Sequence, residues 1–191
     1  MPPLRIEQDK TIDILDHGRL ERLDYAGLLQ FHQGKAIWGT SVTFRALQRA
    51  AQCLSESAMW DRQSLQVTSA HPGLGVRDAI EYVTHCVSRK RYRLTEPERE
   101  GHCHKDMRFA WWIDDGVRSV AIALRDGFVP ETFFALVSRI ETPMERPDDR
   151  EWLERLKERL TEQLWTESLN DLFHVTVDAG RPERAVRTCT S

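Results

Sequence analysis

The chain contains no Cys-x-x-Cys pair: its four cysteines, Cys53, Cys86, Cys103 and Cys189, are scattered. That spacing gives no disulfide framework, so reduced thiols and a cytoplasmic location are the expectation. No apolar run approaches the roughly 20 residues of a membrane span, and the opening MPPLRIEQDK lacks the apolar core of a signal peptide. Neither sign of charge dominates. Twenty-seven Lys and Arg against 30 Asp and Glu leave a net charge of −3, which gives no bulk attraction to nucleic acid or to an anionic membrane. P-loop, dinucleotide fingerprint, nucleophile elbow and internal repeat are all missing.

What is present is a 191-residue chain of ordinary globular composition, 40% hydrophobic and 30% charged, long enough to bury a sizeable core. The reading is one domain over residues 1–178 followed by a polar tail, 179–191. Its organising stretch runs from His71 to Leu94. A turn, His71-Pro72-Gly73-Leu74-Gly75, leads into a helix with Val76, Ile80 and Val83 on one buried face. The helix ends at His85-Cys86 and exits into Arg89, Lys90, Arg91 and Arg93.

Around that stretch the periodicity predicts a polar arm with one strand or turn over 1–18, a helix over Arg19–Gln30 and a break over Phe31–Gly39. A second helix is expected from Thr40 or Ser41 to Ser55, with Phe44, Leu47, Ala51 and Leu54 inward and Arg45, Gln48, Arg49 and Gln52 outward. Leu65–Thr68 reads as a strand and Thr95–Asp106 as a loop. Phe109–Ile113 and Val117–Leu124 form a hairpin across Asp115-Gly116. Pro130 opens a helix carrying Phe133, Phe134, Val137 and Ile140. A longer helix follows Asp148 or Asp149, with Trp152, Leu153, Leu156, Leu160 and Leu164 at helical spacing. Phe173, Val175 and Val177 alternate as a last strand. The fold class is α+β, helices packed around a small, partly antiparallel β-sheet.

Asp78-Ala79-Ile80, Thr84, Cys86 and Lys90 are similar to the Asp-Ala-Ile-Gln…Thr-Gly-Cys-Thr…Gly-Lys-Gly segment of the FmdE-like family of formylmethanofuran dehydrogenase subunits. Phe31-His32-Gln33-Gly34 through Gly39 to Phe44-Arg45 is similar to its Phe-His-Gly-His…Cys-Pro-Gly…Tyr-Arg motif. Order and separation agree, over roughly residues 25–94. The resemblance implies metal binding and, as in methanogens, a link to a molybdenum or tungsten enzyme. The chain also departs from it. The family's Cys-Pro-Gly cysteine falls near Ala36 or Ile37, a further cysteine position is Gly75, and Arg89 and Arg91 replace the glycines beside the lysine. The zinc ribbon that many family members carry is absent. His32 and Cys86 carry over as metal ligands, with Lys90 as a cofactor-binding residue beside them.

Thiolate and imidazole favour zinc, with another divalent transition metal as the alternative, and such an ion needs three or four ligands. His71 is the third candidate. His85 points about 100° away from Cys86 and does not share a metal with it. The His102-Cys103-His104 run matches no zinc-finger spacing and reads as a solvated loop. Gly73-Leu74-Gly75 before a helix offers free backbone amides to a small anion, but the cluster Arg89, Lys90, Arg91 and Arg93 falls at the helix's other end, where it complements the dipole. A metal-dependent enzyme, with Asp78 or Glu81 as base, and a metal-free interaction scaffold are the competing functions. The expected partners are therefore a metal ion and a small-molecule anion, with no nucleic acid and no membrane. The alanine-rich face of the 41–55 helix and the six tryptophans add the expectation of a homodimer.

Overall fold

His17 and Gly18, with φ of 51° and 76°, turn the chain back on itself near its start. This gives an antiparallel pair, β1 (Thr11–Asp16) and β2 (Arg19–Asp24), in the computed structural model, which describes residues 10–34, 36–56 and 58–179. The helix expected from Arg19 begins only at Tyr25, because Asp24 accepts the Gly27 amide and caps α1 (Tyr25–His32). Leu20 and Leu23, spaced for a helix, lie on the strand instead.

α2 (Ile37–Leu54) starts three residues before the expected Thr40 and is buried along most of its length. Arg45 and Gln48, expected outside, are 1% and 7% exposed. Arg45 donates to Gln48 Oε1 and to the Glu167 carbonyl, and stacks on Trp165, so its charge is buried with partners rather than solvated. Ala46 and Ala50 pack into the protein's own core, so these two alanines are not available to a second copy.

β3 (Gln66–Ser69) leads into α3 (Leu74–Thr84), on which Val76, Ile80 and Val83 are fully buried as their spacing predicts. Beyond α3 come β4 (Tyr92–Leu94), a short 3-10 turn at Pro97–Arg99, and the hairpin β5 (Ala110–Asp114) and β6 (Arg118–Leu124). Gly116, φ 86°, supplies the turn conformation. α4 (Glu131–Arg139), α5 (Asp149–Thr166), the short α6 (Leu169–Leu172) and β7 (Phe173–Ala179) complete the order. Trp152, expected to pack, stands 61% exposed.

The main sheet runs β4-β3-β5-β6-β7, parallel between β3 and β4 and antiparallel elsewhere. The class is α+β. α2 packs on α3, α5 and β6 at the centre, so the starts of α2 and α3 are brought together. No described helix is long and apolar enough to cross a membrane. Of the expected tail, residues 180–191 lie outside the described part.

Candidate functional site

Both central helices begin without a side-chain cap. Ala36 precedes α2 and Gly73 precedes α3, and neither can accept a hydrogen bond from the first-turn amides through a side chain. The two starts touch. A β-carbon on Gly75 would lie 2.7 Å from the Ala36 carbonyl oxygen, and one on Gly39 would lie 3.5 Å from the Val76 nitrogen. Glycine at position 75 lets the backbones approach, and the positive ends of two helix dipoles converge on one spot.

That spot forms one end of a cavity of about 490 Å³. Its polar end carries Trp38 and Gly39 from α2, and His71, Gly73 and Gly75 from the turn into α3. Its apolar wall comes from α4 and α5, through Phe133, Val137, Ile140 and Leu153, with Lys157 and Glu141 bringing charge. The loop carrying His102 and Cys103 closes one side, tied down by the Gly101 amide donating to the Pro72 carbonyl at 2.8 Å.

His71 defines the chemistry of this end. It is 3% exposed, packed against Phe109 at 4.6 Å between ring centroids. Burial first, then His104 and Lys157 nearby, push its pKa down to about 3, so the ring is neutral at neutral pH. Its Nδ1 accepts the Gly73 amide at 3.0 Å, which leaves the single proton on Nε2. That Nε2–H is buried and has no partner among the described residues, and the same holds for the Trp38 indole N–H. A buried donor left unpaired costs about 1–3 kcal/mol. Both belong to residues that line one cavity.

The residues expected to bind metal are placed in three locations. His32, 6% exposed at its side chain, hydrogen-bonds through Nδ1 to Asp78 Oδ2 at 2.7 Å, and its Nε2 is buried without a partner among the described residues. Asp78 is one helical turn along α3 from Gly75, so His32 lies beside the helix starts. Cys86 is at the other end of α3, about 16 Å of helix away from His71. Its thiol is fully buried, donates to the Leu65 carbonyl, and is pushed upward in pKa by burial, so it is a thiol and not a thiolate at neutral pH. His71, with Nδ1 occupied and a proton on Nε2, presents a donor and not a lone pair. His32, His71 and Cys86 thus do not form one set, and no three His, Cys, Asp or Glu side chains among the described residues are grouped to hold a metal.

Lys90 is exposed at φ 57° in the turn after α3, remote from the cavity end of the helix. Glu81, weighed as a base, accepts the Val87 and Ser88 amides and fixes that same turn. Of the His102-Cys103-His104 run, His102 and Cys103 face the cavity, while His104 Nε2 lies 3.9 Å from Glu96.

Trp38 and Lys157 are not singled out by the sequence. Trp38 falls in a stretch that reads as a glycine-rich break, and Lys157 reads as one of many charges on an exposed helix. An aromatic with a polar N–H directly before a glycine at a helix start is the available signal. A larger groove of about 770 Å³ between α4 and α5 is lined by Arg139, Arg146, Trp152, Arg155 and Arg159. Its Arg139 is paired with Asp149, and among the described residues no buried polar side chain in its wall lacks a partner, so it makes no comparable demand for a ligand.

Comparison with known proteins adds little to this geometry. No family model matches the chain, and no curated protein does. Among solved structures it is similar to a tungsten formylmethanofuran dehydrogenase FmdE-like protein from Syntrophus aciditrophicus, at 14% identity and a TM-score of 0.48, over 83% of this chain and 72% of that one.

Proposed function

We propose that this chain is a binding protein for a small molecule bearing an oxyanion, held at the joined starts of α2 and α3. The observation that carries the reading is His71, a buried, neutral residue of the cavity lining whose Nε2–H has no partner among the described residues. The Trp38 N–H and two uncapped helix starts act in the same sense, since all of them favour an acceptor or a negative charge. Calorimetric titration of the full chain with acetate tests it. Trp38→Phe keeps an aromatic ring against Phe109 and Phe128 but deletes the donor, and is expected to weaken binding by about 1 kcal/mol, roughly fivefold. No binding by the wild type, or unchanged binding by a folded Trp38→Phe protein, removes the reading.

A second reading is a divalent metal, zinc first, at His32. One specific arrangement favours it: a carboxylate on Nδ1 and a buried, partnerless Nε2, the way metal-bound imidazoles are oriented. The remaining ligands would have to come from residues other than His71 and Cys86. Elemental analysis of protein purified without added metal or chelator decides it. Stoichiometric metal that is lost in His32→Ala supports the reading, and metal-free wild type ends it. A link to a molybdenum or tungsten enzyme, as an accessory module, rests on the sequence resemblance.

A further inference from the structure

We propose that the ligand of this cavity is an amphipathic monocarboxylate, with its carboxylate at the helix starts and an apolar body along the α4–α5 wall; this rests on the oxyanion reading above. The cavity has two chemically distinct ends. At one end, among the described residues, every side-chain polar atom that is buried and unpaired is an N–H, on His71 and Trp38. At the other end Phe133 and Leu153 are 2% and 7% exposed, with Val137 and Ile140 half-buried beside them. A carboxylate occupies about the space of two waters, roughly 60 Å³. Most of the 490 Å³ is left for the rest of the molecule, and the α4–α5 surface that meets it is mostly apolar.

Charge sets the head group. Among the described residues Lys157 is the one lysine or arginine in the lining, and its ammonium is already 2.7 Å from Glu154. Glu141 adds a negative charge to the same lining. A second negative charge on the ligand would find no second fixed cation and would meet Glu141. A monoanion is therefore favoured over inorganic phosphate or a phosphate monoester, for which fixed guanidinium pairs are the usual recognition.

The test is a titration series on the wild-type chain at pH 7: acetate, butyrate, hexanoate, hexan-1-ol and inorganic phosphate. Each methylene buried against the wall is expected to tighten binding about fourfold. Hexanoate should then bind at least roughly tenfold more tightly than acetate, and more tightly than hexan-1-ol or phosphate. Carboxylates that bind with affinity independent of length overturn the amphipathic class and leave the oxyanion reading standing. Phosphate binding more tightly than hexanoate overturns the class in the same way. Hexan-1-ol equal to hexanoate, or no binding by any anion, overturns both. Val137→Ser, at a half-buried position in the apolar wall, should reduce the hexanoate-to-acetate ratio. An unaltered ratio in that variant places the apolar body elsewhere and overturns the assignment of the wall.

Discussion

A neutral histidine buried between an aromatic ring and a backbone amide has a measurable consequence. The His71 pKa is about 3 in the folded chain against about 6.5 when unfolded. The unfolded chain therefore binds a proton over that interval which the folded chain refuses. Stability from this group is complete above pH 6.5 and is lost as pH falls below it, at up to about 1.4 kcal/mol per pH unit. Urea midpoints measured from pH 7 to pH 4 should fall accordingly, and His71→Phe should flatten the slope; an equal slope in the variant would show that another group titrates. Arg62 is the second residue whose removal should be costly. It is 5% exposed and donates to the Val83 carbonyl at 2.8 Å, the Tyr82 carbonyl at 3.1 Å and Asp16 at 3.1 Å. It thereby satisfies carbonyls at the end of α3. Arg62→Met should cost about 3 kcal/mol in urea unfolding, since those carbonyls lose the Arg62 donor and Asp16 loses one of its partners.

At the scale of elements, the crossing of α2 and α3 at their first turns determines where the cavity lies. Gly75 and Gly39 are both at that crossing but tolerate a methyl group differently. A β-carbon at Gly75 would meet the Ala36 carbonyl at 2.7 Å and the Ala36 β-carbon at 3.0 Å, whereas one at Gly39 meets nothing nearer than 3.5 Å. Gly75→Ala should destabilise by about 1–3 kcal/mol through overpacking and weaken any ligand at the helix starts, while Gly39→Ala should be close to neutral in stability. Equal melting temperatures for the two variants would contradict the close approach. The strongly periodic elements are legible in the sequence: α3 by its buried face, β5–β6 by Asp115-Gly116, α5 by its leucines. β2 is not, because Leu20 and Leu23 mimic helical spacing and only the His17-Gly18 turn and the Asp24 cap decide otherwise. Arg45 reads as outward because charge argues for solvent, and its partners Glu167 and Trp165 are far along the chain.

For the molecule as a whole, two strongly depressed carboxylates contribute to the acid limit. At Asp16 burial raises the pKa, but hydrogen bonds from Arg62, Arg89 and His17 outweigh it and bring the group to about 2. Asp149 is held at about 2, first by Arg139 and then by the Arg146 amide. Both contribute above the unfolded value near 4 and lose that contribution as pH falls from about 4 to about 2. Asp16→Asn should reduce the loss of stability in that lower window without altering the one between pH 6.5 and 4; an unchanged acid limb would remove Asp16 from the account. The site is only partly legible in the sequence. His32, His71 and the Gly73-Leu74-Gly75 turn stand out by type and position. Cys86 is separated from them by the length of α3, and the tautomer of His71 depends on an amide two residues on. The central claim is that this cavity end presents donors, and it is tested most directly by long-range ¹H–¹⁵N NMR of the histidine rings at pH 7. The expected spectrum is that of a neutral His71 with its proton on Nε2, whose resonance shifts when acetate is added. A His71 ring protonated on Nδ1 alone, or on both nitrogens, would contradict it.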